Sequence, residues 1–95
     1  MGFVHRDKDS RSCGAKTIGT GNRVRVNGRI VAVNGDANTD GGGDLIASVT
    51  NVKIGGKPII IQHNNAKKDN KCPIPGGDHC NPRARGASAN VRAGG

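Results

Sequence analysis

The stretch Val24-Arg-Val-Asn-Gly-Arg-Ile-Val-Ala-Val-Asn-Gly-Asp36 returns in altered form as Val52-Lys-Ile-Gly-Gly-Lys-Pro-Ile-Ile-Ile-Gln-His-Asn64. At an offset of 28 residues, Val24 falls on Val52, Gly28 on Gly56, Val31 on Ile59 and Val33 on Ile61. Asn27-Gly28 between apolar runs signals a β-hairpin, and Asn34-Gly35 a further tight turn, because both pairs accept positive φ. A third copy ends the chain: Gly86-Ala-Ser-Ala-Asn-Val91-Arg-Ala-Gly-Gly95 matches Gly19 to Gly28 and Ala47 to Gly56, then stops at its turn. Counting back 11 residues from Val24, Val52 and Val91 reaches Cys13, Gly41 and Cys80. The repeats therefore span about 13–36, 41–64 and 80–95 of one domain covering 1–95. Units this short cannot bury a face alone, so they must stack or close around an axis.

Composition sets the class of structure. Only 33% of the 95 residues are hydrophobic, Phe3 is the one aromatic, and 16 Gly and 4 Pro interrupt almost every window of ten. Short strands are favoured around Val24, Val26, Ile30, Val31, Val49, Val52, Ile54 and Ile59 to Ile61. The expected fold is all-β: a small three-sided pyramid or cone of short antiparallel strands and glycine-rich loops, with pseudo-threefold repeats. Asp40-Gly-Gly-Gly-Asp44 reads as a loop, and the lysine-rich stretch from Asn64 to Pro75 as an irregular excursion. So thin a core calls for a staple, whether metal, disulfide or a larger partner. Three cysteines, an odd number, argue against a closed disulfide framework, and no apolar signal segment follows Met1, so synthesis in a reducing cytoplasm is expected.

The net charge of +8 would attract nucleic acid, anionic lipid or an acidic protein. Its basic residues are dispersed, and no aromatic platform is present on which bases could stack.

The pattern resembles the PAAR-repeat family, small proteins at the tip of the spike in contractile phage tails and type VI secretion machines. The residues carrying the resemblance are Cys13-Gly14, Gly19-Thr-Gly-Asn-Arg-Val24, Val26-Asn-Gly28-Arg-Ile-Val-Ala-Val33, Gly35-Asp36 and Gly55-Gly-Lys-Pro58. The name-giving Pro-Ala-Ala-Arg is replaced by Arg29-Ile-Val-Ala32 in one copy and Pro58-Ile-Ile-Ile61 in the other, and Gly-Asp becomes His63-Asn64. The resemblance implies one structural zinc ion (iron is the alternative) stapling the apex through histidine and cysteine.

Zinc takes four tetrahedral thiolate or imidazole ligands. Cys13, Cys72 and Cys80 are the expected thiolates, with His63 as first candidate for the fourth ligand and His79 as the alternative. His79 and Cys80 are adjacent, and adjacent side chains in extended chain point apart. His5 is expected to be an exposed residue near the start of the chain, in reach of the site only as a cap.

The resemblance further implies a non-enzymatic virion component at the tail baseplate. One chain would cap and sharpen a trimeric β-helical central spike and touch the bacterial outer membrane transiently as the contracting tail pierces it. Val24, Val26, Val52 and Ile54 are the expected spike-docking residues. No nucleophile, base and acid stand at a recognisable catalytic spacing, so an enzyme is not expected. The alternative is a small zinc-dependent basic nucleic-acid-binding protein.

Overall fold

A computed structural model describes residues 2–21, 24–72, 80–88 and 91–93. Among them there is no α-helix, only short antiparallel pairs: β1 (Gly2–Phe3), β2 (Arg25–Val26), β3 (Arg29–Ile30), β4 (Lys53–Ile54), β5 (Lys57–Pro58) and β6 (Arg92–Ala93). The domain is thus small, all-β and built from loops joined by isolated bridges. β2 pairs with β3 across the turn at Asn27 and Gly28, whose φ values of 53° and 82° fit the twist of a two-residue hairpin. β4 and β5 repeat this around Gly55 and Gly56.

The third pair shows what completes the repeat that stops at its turn. Its return strand lies at the other end of the sequence: β6 pairs with β1, Gly2 opposite Ala93 and Phe3 opposite Arg92. The register equates Phe3 with Ile30 and Pro58, and all three pairs continue alike. Val4, Val31 and Ile59 donate their N–H groups to the carbonyls of Val91, Val24 and Val52.

From there the hydrogen bonds recur three times. His5 N–H donates to Ile60 O, Ile60 N–H to Ala32 O and Ala32 N–H to His5 O, closing a ring. The bridges Val4 to Ile61, Arg6 to Val31 and Val33 to Ile59 also run cyclically, as do Thr17 to Asn38, Leu45 to Ala66 and Ala84 to Arg11. Each unit thus uses its neighbours to satisfy backbone groups that a two-residue strand cannot pair alone.

The turn after each ring residue needs positive φ, supplied at equivalent places by Lys8 (67°), Gly35 (91°) and His63 (73°). Asp9, Asp36 and Asn64 then cap the turns, their side-chain oxygens accepting from the N–H groups of Arg6, Val33 and Ile61 at 2.8–3.0 Å.

Alternation along the strand sends neighbours to opposite sides. Val4, Val31, Val33 and Ile59 form one buried cluster, backed by Val26, Val52, Ile54 and Val91 from the hairpins. Ala32 and Ile60 point into the other cluster, with Leu45, Ala66 and Ala84. The first cluster draws on all three units, the second on the second and third units alone.

The excursion from Asn64 is more ordered than its polarity suggests. Ala66 and Asp69 are buried, bridging Leu45 and Gly42, although the segment's end at residues 73–75 lies outside the described residues. It is an insertion: Ala66 and Ala84 stand 18 residues apart, against 6 for Arg11 and Thr17 and 7 for Asn38 and Leu45.

Candidate functional site

Two places collect the residues singled out in the sequence. At the hairpins, Val24 is 44% exposed, whereas Val26, Val52 and Ile54 are half-buried against the first cluster. These three therefore serve the core first, and only their rims remain for a partner. In a two-residue hairpin Val26 and Arg29 exchange hydrogen bonds across the turn, so the N–H and C=O of Arg25 point away from β3. Lys53 and Arg92 hold the same register in the other two pairs. The crown thus presents three equivalent strand edges, each centred on an exposed cation; Arg92 stacks over the Phe3 ring at 4.5 Å.

Beyond the second cluster lies the cysteine group. Cys13, Asp40 and Asp69 bring a thiol sulfur and two carboxylates within 4.8 Å of one another. The Cys13 thiol donates to Asp69 Oδ2 at 3.6 Å, and the same oxygen accepts from Asn38 Nδ2 at 3.1 Å. Asp69 also holds the turn leading to Cys72: its Oδ1 accepts from Lys71 N–H at 2.9 Å and its carbonyl from Cys72 N–H at 3.2 Å. Lys71 Nζ balances Asp40 at 3.1 Å. Burial, with the nearby Asp69 and Asp40 charges, raises the Cys13 pKa, so the thiol keeps its proton at neutral pH.

Cys72 and Cys80 form a disulfide with Cα atoms 4.9 Å apart. This corrects the expectation that Cys72 and Cys80 stand as thiolates beside Cys13: the two are bonded to each other, and Cys13 is left as the free thiol. The two sulfurs are available as thiolates only when reduced. His63 is exposed in its turn and belongs to no group of three potential ligands among the described residues. His79 lies outside the described residues. The two aspartates were missed in the sequence because Asp40 was read as part of a glycine-rich loop and Asp69 as part of the irregular excursion.

His5 is the clearest departure from expectation. It is fully buried, as are its neighbours Arg11 and Thr17. Its Nδ1 meets Gly86 O at 2.6 Å and its Nε2 meets Thr17 Oγ1 at 2.6 Å. Arg11 Nε donates to that hydroxyl, while its other nitrogens donate to the carbonyls of Gly43, Pro82 and Asp36 at 2.7, 2.9 and 3.1 Å. A carbonyl only accepts, so the His5 proton is on Nδ1, and Thr17 passes its own hydroxyl proton toward Nε2. Burial lowers the His5 pKa to about 4 and that of Arg11 to about 10. At neutral pH the histidine is neutral and the arginine charged.

No protein-family model and no curated protein matches this chain.

Proposed function

We propose that the chain is a PAAR-like spike tip, similar to the tip protein on the central spike of T-even-type contractile tails, and that it acts without catalysis. The observation that carries the reading is the threefold recurrence of backbone hydrogen bonds within one chain, ending in three equivalent open strand edges. Such edges invite a further strand, and a partner with true threefold symmetry offers three at once. A homotrimeric β-helix has that symmetry and cannot make its own point. The extents of 34 × 23 × 22 Å, one long axis and two nearly equal short ones, suit a cone seated on such an end.

In this reading the cysteine end is the leading apex. A zinc ion there would be held by Cys13 and by Cys72 and Cys80 once reduced, with His63 or His79 completing the set. The donor chemistry fits in part: Asp69 draws Cys13 toward the Cys72 turn, but no histidine stands in the described group. The ion would be structural, adding rigidity where the core is small.

The test is to mix the purified chain with a purified trimeric β-helical spike from a contractile tail and measure stoichiometry by light scattering. One chain per trimer is expected, with weaker association for a variant carrying Arg25→Glu, Lys53→Glu and Arg92→Glu. Absence of any complex, together with salt-sensitive binding to duplex DNA, would overturn this reading in favour of a nucleic-acid binder.

A further inference from the structure

The ring around the axis is threefold in its backbone and not in its side chains. His5, Arg11 and Thr17 of the first unit stand where the second has Ala32, Asn38 and Leu45 and the third has Ile60, Ala66 and Ala84. The first unit alone puts an imidazole, a guanidinium and a hydroxyl there, all fully buried. It is also the unit assembled from distant parts of the chain. The segment from Gly2 to Asp9 is held to the C-terminal segment by the β1–β6 pair, by Val4 N–H to Val91 O, Ser88 N–H to Val4 O, and His5 Nδ1–H to Gly86 O.

We infer that this seam is an acid-released latch: a proton added to His5 Nε2 breaks the donor chain Arg11 to Thr17 to His5 to Gly86 and frees the segment from Gly2 to Asp9 while the other two units stay paired. Every polar link runs in one sense. Arg11 Nε–H points at the Thr17 oxygen, Thr17 O–H at His5 Nε2, and His5 Nδ1–H at Gly86 O. Protonated Nε2 is itself a donor, so Thr17 would face two donors and its own hydroxyl proton would have no acceptor.

Burial opposes the change most, and the charged groups around His5 act in both directions. Arg11, from the next stretch of chain, and Arg6, on the same strand, repel a second positive charge. Asp9 attracts it, but that carboxylate is already bound by Arg6 Nε at 2.8 Å and Arg29 at 2.8 Å. Ala32 and Ile60, from the other two units, and Gly86 bring no charge.

Outside the seam the histidine titrates near 6.5, and inside it near 4. Between pH 7 and pH 4 the ratio of released to closed seam therefore rises about a hundredfold. Release removes β1, hence one of the three equivalent strand pairs.

Hydrogen exchange on the full chain at pH 7 and pH 4, corrected for intrinsic rates, tests this. Protection of the amides of Val4, His5 and Asp7, and of Ala32, whose acceptor is His5 O, should fall about a hundredfold, while those of Val31, Ile59, Ile60 and Asn34, whose acceptors lie in the other two units, change far less. His5→Ile, the residue already used at Ile60, should remove the pH dependence. Equal loss across all three units, or an unchanged pH response in the variant, overturns the latch. Should that variant not fold, ¹⁵N shifts of the His5 ring in the unmodified chain decide: Nδ1–H at neutral pH with a midpoint near 4 is the expected result, and a midpoint near 6.5 overturns it.

Discussion

The first unit and the other two solve the same packing problem with different chemistry. In the second and third, the positions facing the axis carry Ala32, Leu45, Ile60, Ala66 and Ala84, with Asn38 as the polar exception. In the first they carry His5, Arg11 and Thr17. The backbone frame is indifferent to this exchange because it is satisfied by its own cyclic hydrogen bonds. Apolar contacts are non-directional and forgiving, whereas the polar trio holds only if every donor finds its acceptor.

Arg11 is where this comparison breaks most easily. Its guanidinium fills the acceptors of Thr17, Gly43, Pro82 and Asp36, and compensating negative charge comes at longer range from Asp36, Asp69 and Asp44. Arg11→Ala would strand those buried oxygens and open a cavity, costing about 3–5 kcal/mol in urea unfolding. A cost below about 1 kcal/mol would mean that water already reaches these groups. On the apolar side, Ile60→Ala removes a fully buried side chain and should cost about 2–4 kcal/mol by the same measurement. If the ranking reverses, the apolar units and not the polar trio hold the ring together.

A smaller effect is expected at the insertion. Cys72 and Cys80 are 8 residues apart, and opening so short a loop by Cys72→Ser should lower stability by about 2–3 kcal/mol under oxidising conditions. Added reductant should bring the unmodified chain to the same value. If zinc then restores it, the sulfurs serve as thiolates, as the apex proposal requires; if cadmium and zinc both leave the melting temperature unchanged, that proposal fails.

Much of the frame was legible in the sequence. Val24, Val52 and Val91 keep register with their turns, so two hairpins and the start of a third could be read from period and glycine alone. The closure of the third by Gly2–Phe3 could not, because Phe3 and Gly2 share no residue type with Ile30 and Arg29 or with Pro58 and Lys57. His5 was misplaced for a related reason: a lone histidine near the start of a basic chain looks solvated, and only the cyclic bridges put it in register with Ala32 and Ile60. The cysteine pairing was hidden by the odd count, which does not say which thiol is left over.

The capping residues allow the finest test, because the three units use Asp9, Asp36 and Asn64 for one task. Asn64 shows that an amide oxygen suffices to hold the turn at 3.0 Å. Asp36→Asn keeps that bond, weakens the links to Thr20 and removes one of the more distant charges facing Arg11, so about 1 kcal/mol is expected. Asp9→Asn takes the counter-charge from Arg6, which is nearly buried, and should cost about 1–2 kcal/mol; Arg29, at 46% exposure, adds little. Burial alone would raise the Asp9 pKa, but its hydrogen bond and charge contacts with Arg6 outweigh this and hold it below 3.8. Its contribution is therefore present above pH 3.8 and is lost as pH falls through the depressed folded value. The His5 contribution lies in another window: its folded value is lowered, so stability rises with pH from about 4 to 6.5. Asp9→Asn should accordingly flatten the limb below pH 3.8 and leave the higher one in place, whereas His5→Ile should do the reverse. A single limb abolished by either substitution would mean that the two groups act as one network, and that the polar unit opens as a whole.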